Sequence, residues 1–166
     1  MKSKLLKVLV PMALVLAMGS CSHYSNEEIV TANKTLITNY DYSTEEIQLL
    51  QMINDYRVSN GRNALIIINH ISYKSKEHND YMIANNVVNH DYFTERAQNL
   101  IDVLGAYKVG ENIAYNFSCP TTVFNAWLNS PIHKANLDGD YTHFGLSISI
   151  SSVSGKKYYT NMFIKK

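Results

Sequence analysis

The strongest constraint on the fold is a period-two pattern near the end of the chain. In "HFGLSISIS", residues 143–151, the apolar residues Phe144, Leu146, Ile148 and Ile150 alternate with glycine and serine. This alternation is typical of a β-strand and does not fit the 3.6-residue period of a helix. "SVSGK" follows as a turn, and "YYTNMFIKK" predicts the partner strand. The chain is therefore predicted to end in an antiparallel hairpin.

Helical patterns come before the hairpin. Ser43-Thr44-Glu45-Glu46 forms a capping box, and the apolar stripe that follows ends at Asn60-Gly61. Apolar spacing predicts three more helices, over residues 69–86, 94–104 and 121–129. "ENIAYNF" alternates like a strand, which Glu111 would open. Helices followed by a strand, a helix and a hairpin favour an α+β layer architecture over a βαβ repeat.

The first residues have the composition of an export signal. Lys2, Lys4 and Lys7 precede an apolar stretch and small residues, and Cys21 follows Gly19-Ser20. The apolar stretch is shorter than the roughly 20 residues that a membrane-spanning helix needs. We expect a signal peptide over residues 1–20. The segment before Cys21 resembles the lipobox of bacterial lipoproteins, which implies acylation of Cys21; simple secretion is the alternative.

Residues 21–42 are predicted to be a lipidated cysteine and a flexible tether, and residues 43–166 the folded domain. Acylation of Cys21 would leave Cys119 without an intramolecular partner, so we expect no disulfide framework, with Cys119 packed as a small apolar side chain. The net charge is +1 and no basic run lies outside the signal, so nucleic acid is not expected as a partner.

Three segments stand in a fixed order: "NHDYF" at residues 89–93, "GENIA" at 110–114 and "WLNSPIHKANL" at 127–137. Together they resemble the CAP superfamily, the cysteine-rich secretory, antigen 5 and pathogenesis-related proteins, and more closely its bacterial SCP-like branch. "INDYRVSNGRNAL", "YTHFG" and "YYTNMF" resemble other parts of that branch. The resemblance covers roughly Glu45 to Lys166. It implies an α-β-α sandwich, a small antiparallel sheet flanked by helices.

The resemblance also implies a site. Many members have a tetrad of two histidines and two glutamates, and His90, Glu111 and His133 match three of its positions. The fourth position holds Asn129 instead of a glutamate, which removes any mechanism that needs two carboxylates. By the same resemblance His90 and His133 are candidate ligands of a weak, exchangeable Zn²⁺, and Glu111 would orient them.

Neighbouring residues complete the candidate cleft. His78 shares a helical stripe with Ile71 and Met82 and is either a buried structural histidine or a cleft neighbour. Asn136 is expected to hold a loop near His133, and Asn129 could hydrogen-bond the cluster. Structural roles also fit the three main residues: His90 as a cap at a helix end, His133 in the first turn of a short helix, and Glu111 as an acceptor of backbone N–H groups.

The sequence contains no nucleophile-elbow serine and no cysteine beside a histidine in a recognised motif. We therefore expect a binding or interaction module with a histidine-lined cleft, whose ligand is a protein, a lipid or a small molecule. The alternative is a zinc-dependent hydrolase that uses His90 and His133 as ligands and Glu111 as its base. The acidic Ser25-Asn26-Glu27-Glu28 resembles export signals of surface lipoproteins, which implies the bacterial envelope, at the outer membrane or cell surface.

Overall fold

A computed structural model describes residues 34–166. Five helices and four strands make up this part of the chain: α1 (Thr44–Ser59), β1 (Ile66–Ile67), α2 (Asn69–Asn85), α3 (Phe93–Leu104), β2 (Lys108–Tyr115), α4 (Pro120–Asn129), α5 (Pro131–Leu137), β3 (His143–Ile150) and β4 (Lys157–Lys165). Within the described residues, none of the helices has the length and apolar character needed to cross a membrane. The predicted signal peptide and Cys21 lie outside the described residues.

The four strands form one sheet in the order β1-β3-β4-β2. The predicted terminal hairpin is confirmed, since β3 and β4 are antiparallel with Phe144 opposite Phe163. β2 pairs antiparallel with β4, and Glu111 lies opposite Met162. The prediction that Glu111 opens a strand is wrong: β2 begins at Lys108, because Lys108 to Gly110 continue the ladder opposite Phe163 to Lys165.

The helices cover both faces of the sheet, which confirms the predicted α-β-α sandwich. One face packs against α1, α4 and α5, and its apolar cluster includes Leu49, Leu50, Ile53, Val123, Trp127, Leu137, Phe144 and Phe163. The other face packs against α2 and α3 through two smaller clusters, which include Ile71, Met82, Leu100, Ile113, Tyr158 and Met162. β2 therefore lies at one edge of a sheet that is buried on both sides.

The small residues of β3 allow α2 to approach the sheet closely. A Cβ atom at Gly145 would lie 2.3 Å from the backbone nitrogen of Ser72. The hydroxyl of Ser72 in turn accepts a hydrogen bond from the Leu146 N–H at 3.1 Å. The period-two pattern thus predicts the strand correctly, while its glycine and serine positions have a packing role that the pattern does not reveal.

The capping box predicted at Ser43 and Glu46 is present in α1. The Glu46 N–H donates to Ser43 Oγ at 3.2 Å, and the Ser43 N–H donates to Glu46 Oε2 at 2.8 Å. Glu46 Oε1 also accepts from the Ile148 N–H at 2.8 Å, so the cap ties α1 to the edge of β3. The helix ends at Ser59 with Asn60 as its C-cap, as the sequence predicts.

β1 was not predicted, because its two residues have no alternation to detect. α5 is a seven-residue helix that follows α4 after Ser130, and it is the short helix that the sequence offered as one alternative for His133. Cys119 is also placed differently from the prediction. It is the N-cap of α4 and is partly exposed, with its sulfur 3.7 Å from Thr122 Oγ1, because the Cys119–Thr122 capping box needs the residue at the helix end.

The residues before α1 contact the domain, and we call residues 34–42 the strap. The Ile37 N–H donates to His70 Nδ1 at 3.1 Å, and Asn69 Nδ2 donates to the Thr38 carbonyl at 2.6 Å. The Tyr40 hydroxyl donates to Ser147 Oγ at 2.9 Å. A flexible tether over residues 21–42 is therefore wrong for these residues, because their hydrogen bonds fix them to α2 and β3.

Candidate ligand-binding site

The three motif segments, residues 89–93, 110–114 and 127–137, meet at the edge strand β2. Within residues 34–166 its outward-facing carbonyls do not meet another strand; Asn136 Nδ2 donates to the Glu111 carbonyl at 3.1 Å, and the Trp127 indole donates to the Ile113 carbonyl at 3.0 Å. Asn112 Nδ2 donates to the His133 carbonyl at 3.0 Å, which holds the start of α5 beside β2. Side chains from α4 and α5 thus cover the edge, and the backbone of His133 is held against Asn112, the residue after Glu111.

The carboxylate of Glu111 is gripped by Arg96 of α3. Arg96 Nε donates to Oε2 and Nη2 donates to Oε1, each at 2.9 Å. The Arg96 side chain is 8% exposed and that of Glu111 is 1% exposed. A two-pronged contact of this kind matches the planar shapes of guanidinium and carboxylate, and burial strengthens it. Glu111 is therefore a paired, buried charge.

Glu111 also orients His90. His90 Nδ1 lies 2.8 Å from Glu111 Oε1, while 51% of the His90 side chain is exposed. A carboxylate paired with a guanidinium only accepts hydrogen bonds, so Nδ1 is the donor. In the neutral ring, Nε2 then carries the free lone pair. The Glu111 contact thus fixes the His90 tautomer and leaves the other ring nitrogen for a ligand.

His78 of α2 holds the segment that carries His90 through a contact with the Asn89 backbone. This side chain is 1% exposed, and its Nε2 lies 2.8 Å from the Asn89 carbonyl, to which it donates. Burial lowers the pKa of His78, which keeps the ring neutral, although the nearby Glu111 opposes this shift. Its Nδ1 is buried without a hydrogen-bond partner among the described residues.

The turn between α2 and α3 is held by side chains on both sides. Asp91 Oδ2 accepts hydrogen bonds from the Tyr81 hydroxyl and from Asn89 Nδ2, each at 2.8 Å. Arg96 Nη1 donates to the Asp91 carbonyl at 2.6 Å. Tyr92, the next residue, has a φ of 57°, a conformation that costs energy in a bulky residue. These contacts offset that strain and set the position of His90.

His133 lies on the other side of the β2 edge, in the first half of α5. It is partly buried, and burial lowers the pKa of its imidazole. The charge of His90 lowers the pKa of His133 further, because two nearby positive rings repel each other. The two histidines are therefore near enough to interact electrostatically, and His133 favours its neutral form.

Asn136 forms the centre of a polar cluster below His133. Its Nδ2 donates to the Glu111 carbonyl and, at 2.9 Å, to Asn112 Oδ1, while its Oδ1 accepts from the Tyr141 hydroxyl at 3.2 Å. Gly110 makes room for this cluster: a Cβ there would lie 2.4 Å from Tyr141 Oη and 2.8 Å from Asn136 Oδ1. Asn136 thus links α5 to the strand that carries Glu111.

The family model described as "CAP: Cysteine-rich secretory protein family" matches residues 50–163. This chain belongs to the cysteine-rich secretory protein family. The CAP match contains His78, His90, Glu111, Asn129, His133 and Asn136, and the predicted membership is confirmed.

One curated relative and two solved structures illustrate the range of similar CAP-type proteins. The chain is 35% identical over 130 residues to the uncharacterized membrane protein YlbC of Bacillus subtilis (strain 168), which covers 75% of this chain and 35% of that protein. The chain thus spans about a third of the length of this relative.

The solved structures share the CAP fold at lower identity. An outer surface protein from Borrelia burgdorferi aligns with a TM-score of 0.67 at 22% identity, over 78% of this chain and 99% of that one. An extracellular protein with an SCP domain from Bacillus anthracis (strain Ames) aligns with a TM-score of 0.63 at 24% identity, over 77% of this chain and 45% of that one.

Asn129 does not join the other predicted site residues of this CAP domain. It is the last residue of α4 and is exposed, and it makes no hydrogen bond to His90, Glu111 or His133 within residues 34–166. The position that carries a glutamate in many members therefore contributes no acid and no fixed contact here.

Sequence analysis missed Arg96, which is the strongest partner of Glu111. One signal for it was present. Arg96 lies one helical turn before Leu100 and three residues after Phe93, on the stripe of α3 that faces the core. An arginine on an apolar stripe needs a buried acceptor, and the three motif segments contain two carboxylates, Asp91 and Glu111. Spacing alone did not reveal which carboxylate it would meet.

The side chains available as metal ligands limit which kind of metal site can form here. Within the described residues no group of three or more histidine, cysteine, aspartate or glutamate side chains is arranged to hold a metal ion. Glu111 is occupied by Arg96 and His90, which leaves two imidazoles, of His90 and His133. A pair of neutral imidazoles fits a weak, exchangeable Zn²⁺ site and does not supply the three protein ligands of a catalytic zinc site.

Proposed function

We propose that this CAP domain is a binding module of the bacterial envelope, whose ligand contacts the cleft between His90 and His133. One observation carries the proposal: both oxygens of the Glu111 carboxylate are already engaged by Arg96, and one of them also by His90. The Glu111 carboxylate thus positions the His90 ring and, through Arg96, holds the turn between α2 and α3. The groups left for a ligand are the two imidazoles.

The same contacts argue against the zinc hydrolase alternative. A general base must come within hydrogen-bonding distance of the proton that it removes, directly or through one water. The side chain of Glu111 is 1% exposed, and both of its oxygens already accept hydrogen bonds from Arg96, so a ligand proton has no open approach to them. Asn129 cannot act as a base either. Neither group supports catalysis by proton transfer.

A divalent metal ion is a candidate for one component of what binds between His90 and His133. The orientation of His90 by Glu111, Nδ1 to the carboxylate and Nε2 free, is the arrangement in which a histidine usually ligates zinc. His133 would supply the second nitrogen, and its lowered pKa favours the neutral ring that a metal requires. Zn²⁺ held in this way would offer a Lewis-acid contact to an oxygen of the bound protein, lipid or small molecule.

A zinc titration by calorimetry on the full chain in mild detergent tests the metal part of the proposal. We expect binding by the wild type and a loss of affinity of at least about tenfold in both His90→Ala and His133→Ala. His143→Ala is the matched control, because His143 is a partly exposed histidine at the start of β3 that bonds Thr142 instead of the cleft. Unchanged affinity in either cleft variant would show that the two rings do not share a metal.

A failure of the folded wild type to bind zinc would remove the metal and leave the binding proposal intact. The next measurement is then a chemical-shift titration of the His90 and His133 ring protons with lipid vesicles and with envelope peptides. Because 51% of the His90 side chain is exposed, a ligand in the cleft must alter its resonance. Ligands that bind without changing either ring would contradict the proposed site.

Localisation is proposed from the signal at the N-terminus and from similar proteins. Cys21 follows a predicted signal peptide, and the similar proteins include a membrane protein, an outer surface protein and an extracellular protein. We place the domain outside the cytoplasm, held to the outer membrane or cell surface by acylated Cys21. Replacing Cys21 with serine should move the protein into the soluble envelope fraction; continued membrane association would contradict the lipid anchor.

A further inference from the structure

His70 lies where the strap meets the domain. It is the second residue of α2, and its side chain is 1% exposed. The Ile37 N–H of the strap donates to its Nδ1 at 3.1 Å, and its Nε2 lies 2.8 Å from Asn99 Oδ1 in α3. One buried imidazole therefore joins the strap to two helices. It is separate from the cleft, which is built on the α2–α3 turn, β2 and α5.

The two contacts allow only one protonation state. A backbone N–H can only donate, so His70 Nδ1 must carry a lone pair. Nε2 must then carry the proton that it donates to the Asn99 oxygen. Adding a second proton, to Nδ1, would place two N–H groups against each other and leave a positive charge in a buried site. The docked strap thus requires a neutral His70.

The other groups around His70 do not compensate that charge. Burial is the main cause that lowers the pKa of His70; the Asn99 hydrogen bond and Glu77 oppose the shift, and Lys74 of the same helix adds to it, so the pKa is lowered overall. Asn99, the contact from α3, is uncharged. One turn further along α3, Asp102 pairs with Lys34 of the strap at 3.2 Å. This acid is already paired, with a lysine that is 70% exposed, so it provides little for a protonated His70.

The strap is also the wall of a cavity. Asn39, Tyr40 and Asp41 line a space of about 430 Å³ together with Lys76 of α2 and residues 147–149 of β3. β1 pairs only with the first residues of β3, at His143 and Phe144, so the strap and the start of α1 flank the rest of that edge. Movement of the strap would open this cavity toward the β3 edge.

We propose that His70 is a pH-sensitive latch, and that a proton on its Nδ1 releases the strap from the domain and opens the cavity beside β3. Release removes the Ile37 bond and lets water reach the imidazolium. Mild acid therefore favours the released state. The latch does not depend on the ligand proposed for the cleft.

Hydrogen exchange measured by NMR on the full chain tests the latch. Since release takes up one proton, the protection of the Ile37 amide, corrected for the intrinsic exchange rate, should fall about tenfold per pH unit. This decline should run from about pH 6.5, the pKa of a free histidine, down to the pKa of docked His70. The ring proton resonance of His70 in the same samples should titrate near the low-pH end of this decline.

Two variants sharpen the test. Asparagine keeps an acceptor where Nδ1 stood but does not titrate, so His70→Asn should remove the pH dependence of Ile37 protection. His143→Asn, at a partly exposed histidine away from the strap, should keep the wild-type decline.

Ile37 protection that stays constant while His70 titrates would overturn the latch. An equal loss of protection at the core residue Leu50 would also overturn it, because the whole domain would then be unfolding. The wild-type titration alone decides the question if His70→Asn does not fold.

Discussion

Arg96 and Glu111 form a buried, two-pronged ion pair that joins α3 to the edge strand β2, with both hydrogen bonds at 2.9 Å. The pair does two things at once. It neutralises a carboxylate inside the protein, and through Glu111 Oε1 it orients His90 at the cleft. The stability of the domain and the geometry of the candidate site therefore depend on the same contact.

Removing Arg96 should destabilise the domain strongly. Arg96→Ala leaves the Glu111 charge buried and unpaired, which typically costs about 3–5 kcal/mol of the free energy of unfolding. Urea unfolding at neutral pH, followed by far-UV circular dichroism, measures the loss. Lys76→Ala is the control, because the Lys76–Asp80 pair is about half exposed on both sides and its loss should cost under about 1 kcal/mol. Equal losses in both variants would show that the Arg96 pair contributes no more than a surface pair.

Glu111→Gln separates a positioning role from a catalytic one. Glutamine keeps the shape but loses the charge, and its amide N–H₂ must face an N–H of Arg96 in either orientation. We expect the free energy of unfolding and the zinc affinity to fall together, since the His90 ring loses its fixed tautomer. Calorimetry and urea unfolding measure the two quantities.

The matched control for that substitution is Glu77→Gln, at a more exposed glutamate on α2 paired with Lys74. It should change neither quantity measurably. If Glu111→Gln abolished a hydrolytic activity while stability and zinc affinity stayed at the wild-type values, Glu111 would be a base and the positioning role would be wrong.

The sequence predicted the regular parts of this fold because their patterns are local. The capping box at Ser43, the alternation from Phe144 onward and the helix over residues 69–86 each depend on residues a few positions apart, and the structure has all three. β1 was missed because two residues have no period, and a parallel pair with β3 involves residues far away in sequence. Patterns of this kind carry no information on such distant pairing.

The candidate site was predictable only in part. The order of the CAP-type segments predicted His90, Glu111 and His133, but not Arg96, whose contact with Glu111 joins residues 15 positions apart on a helix and a strand. Asn129 is the reverse case: the family resemblance predicted it as a site residue, and the structure shows it exposed. The burial of Glu111 was also missed, because a glutamate in a strand gives no sign of which elements will cover it.

The stability of the domain should fall as the pH drops below about 6.5. His70 and His78 are each 1% exposed, and burial lowers the pKa of both. A histidine with a lowered pKa in the folded state binds fewer protons there than in the unfolded chain. Its contribution is thus complete above the unfolded pKa and is lost as the pH falls toward the folded pKa. Each group can contribute a slope of up to about 1.4 kcal/mol per pH unit.

Urea unfolding between pH 7.5 and pH 5 measures this slope, in a range above the ordinary titration of the carboxylates. The double variant His70→Asn with His78→Gln should be less stable at neutral pH and should lose most of the slope, because neither new side chain titrates. His143→Ala should keep most of it, because burial lowers the pKa of His143 as well but this residue remains partly exposed. A wild type whose free energy of unfolding is constant over this range would contradict the buried neutral state of both rings.

Gly110→Ala should disturb the polar cluster that holds α5 against β2. The new Cβ would lie 2.4 Å from Tyr141 Oη and 2.8 Å from Asn136 Oδ1, so one side chain must move and a hydrogen bond to the Glu111 carbonyl is put at risk. Overpacking of this kind costs about 1–3 kcal/mol, which urea unfolding can resolve. Removing the hydroxyl with Tyr141→Phe should recover part of the loss in a double-mutant cycle, because the closest contact disappears. Strictly additive effects would show that the two residues do not meet, and the close approach at Gly110 would then not be what positions Asn136.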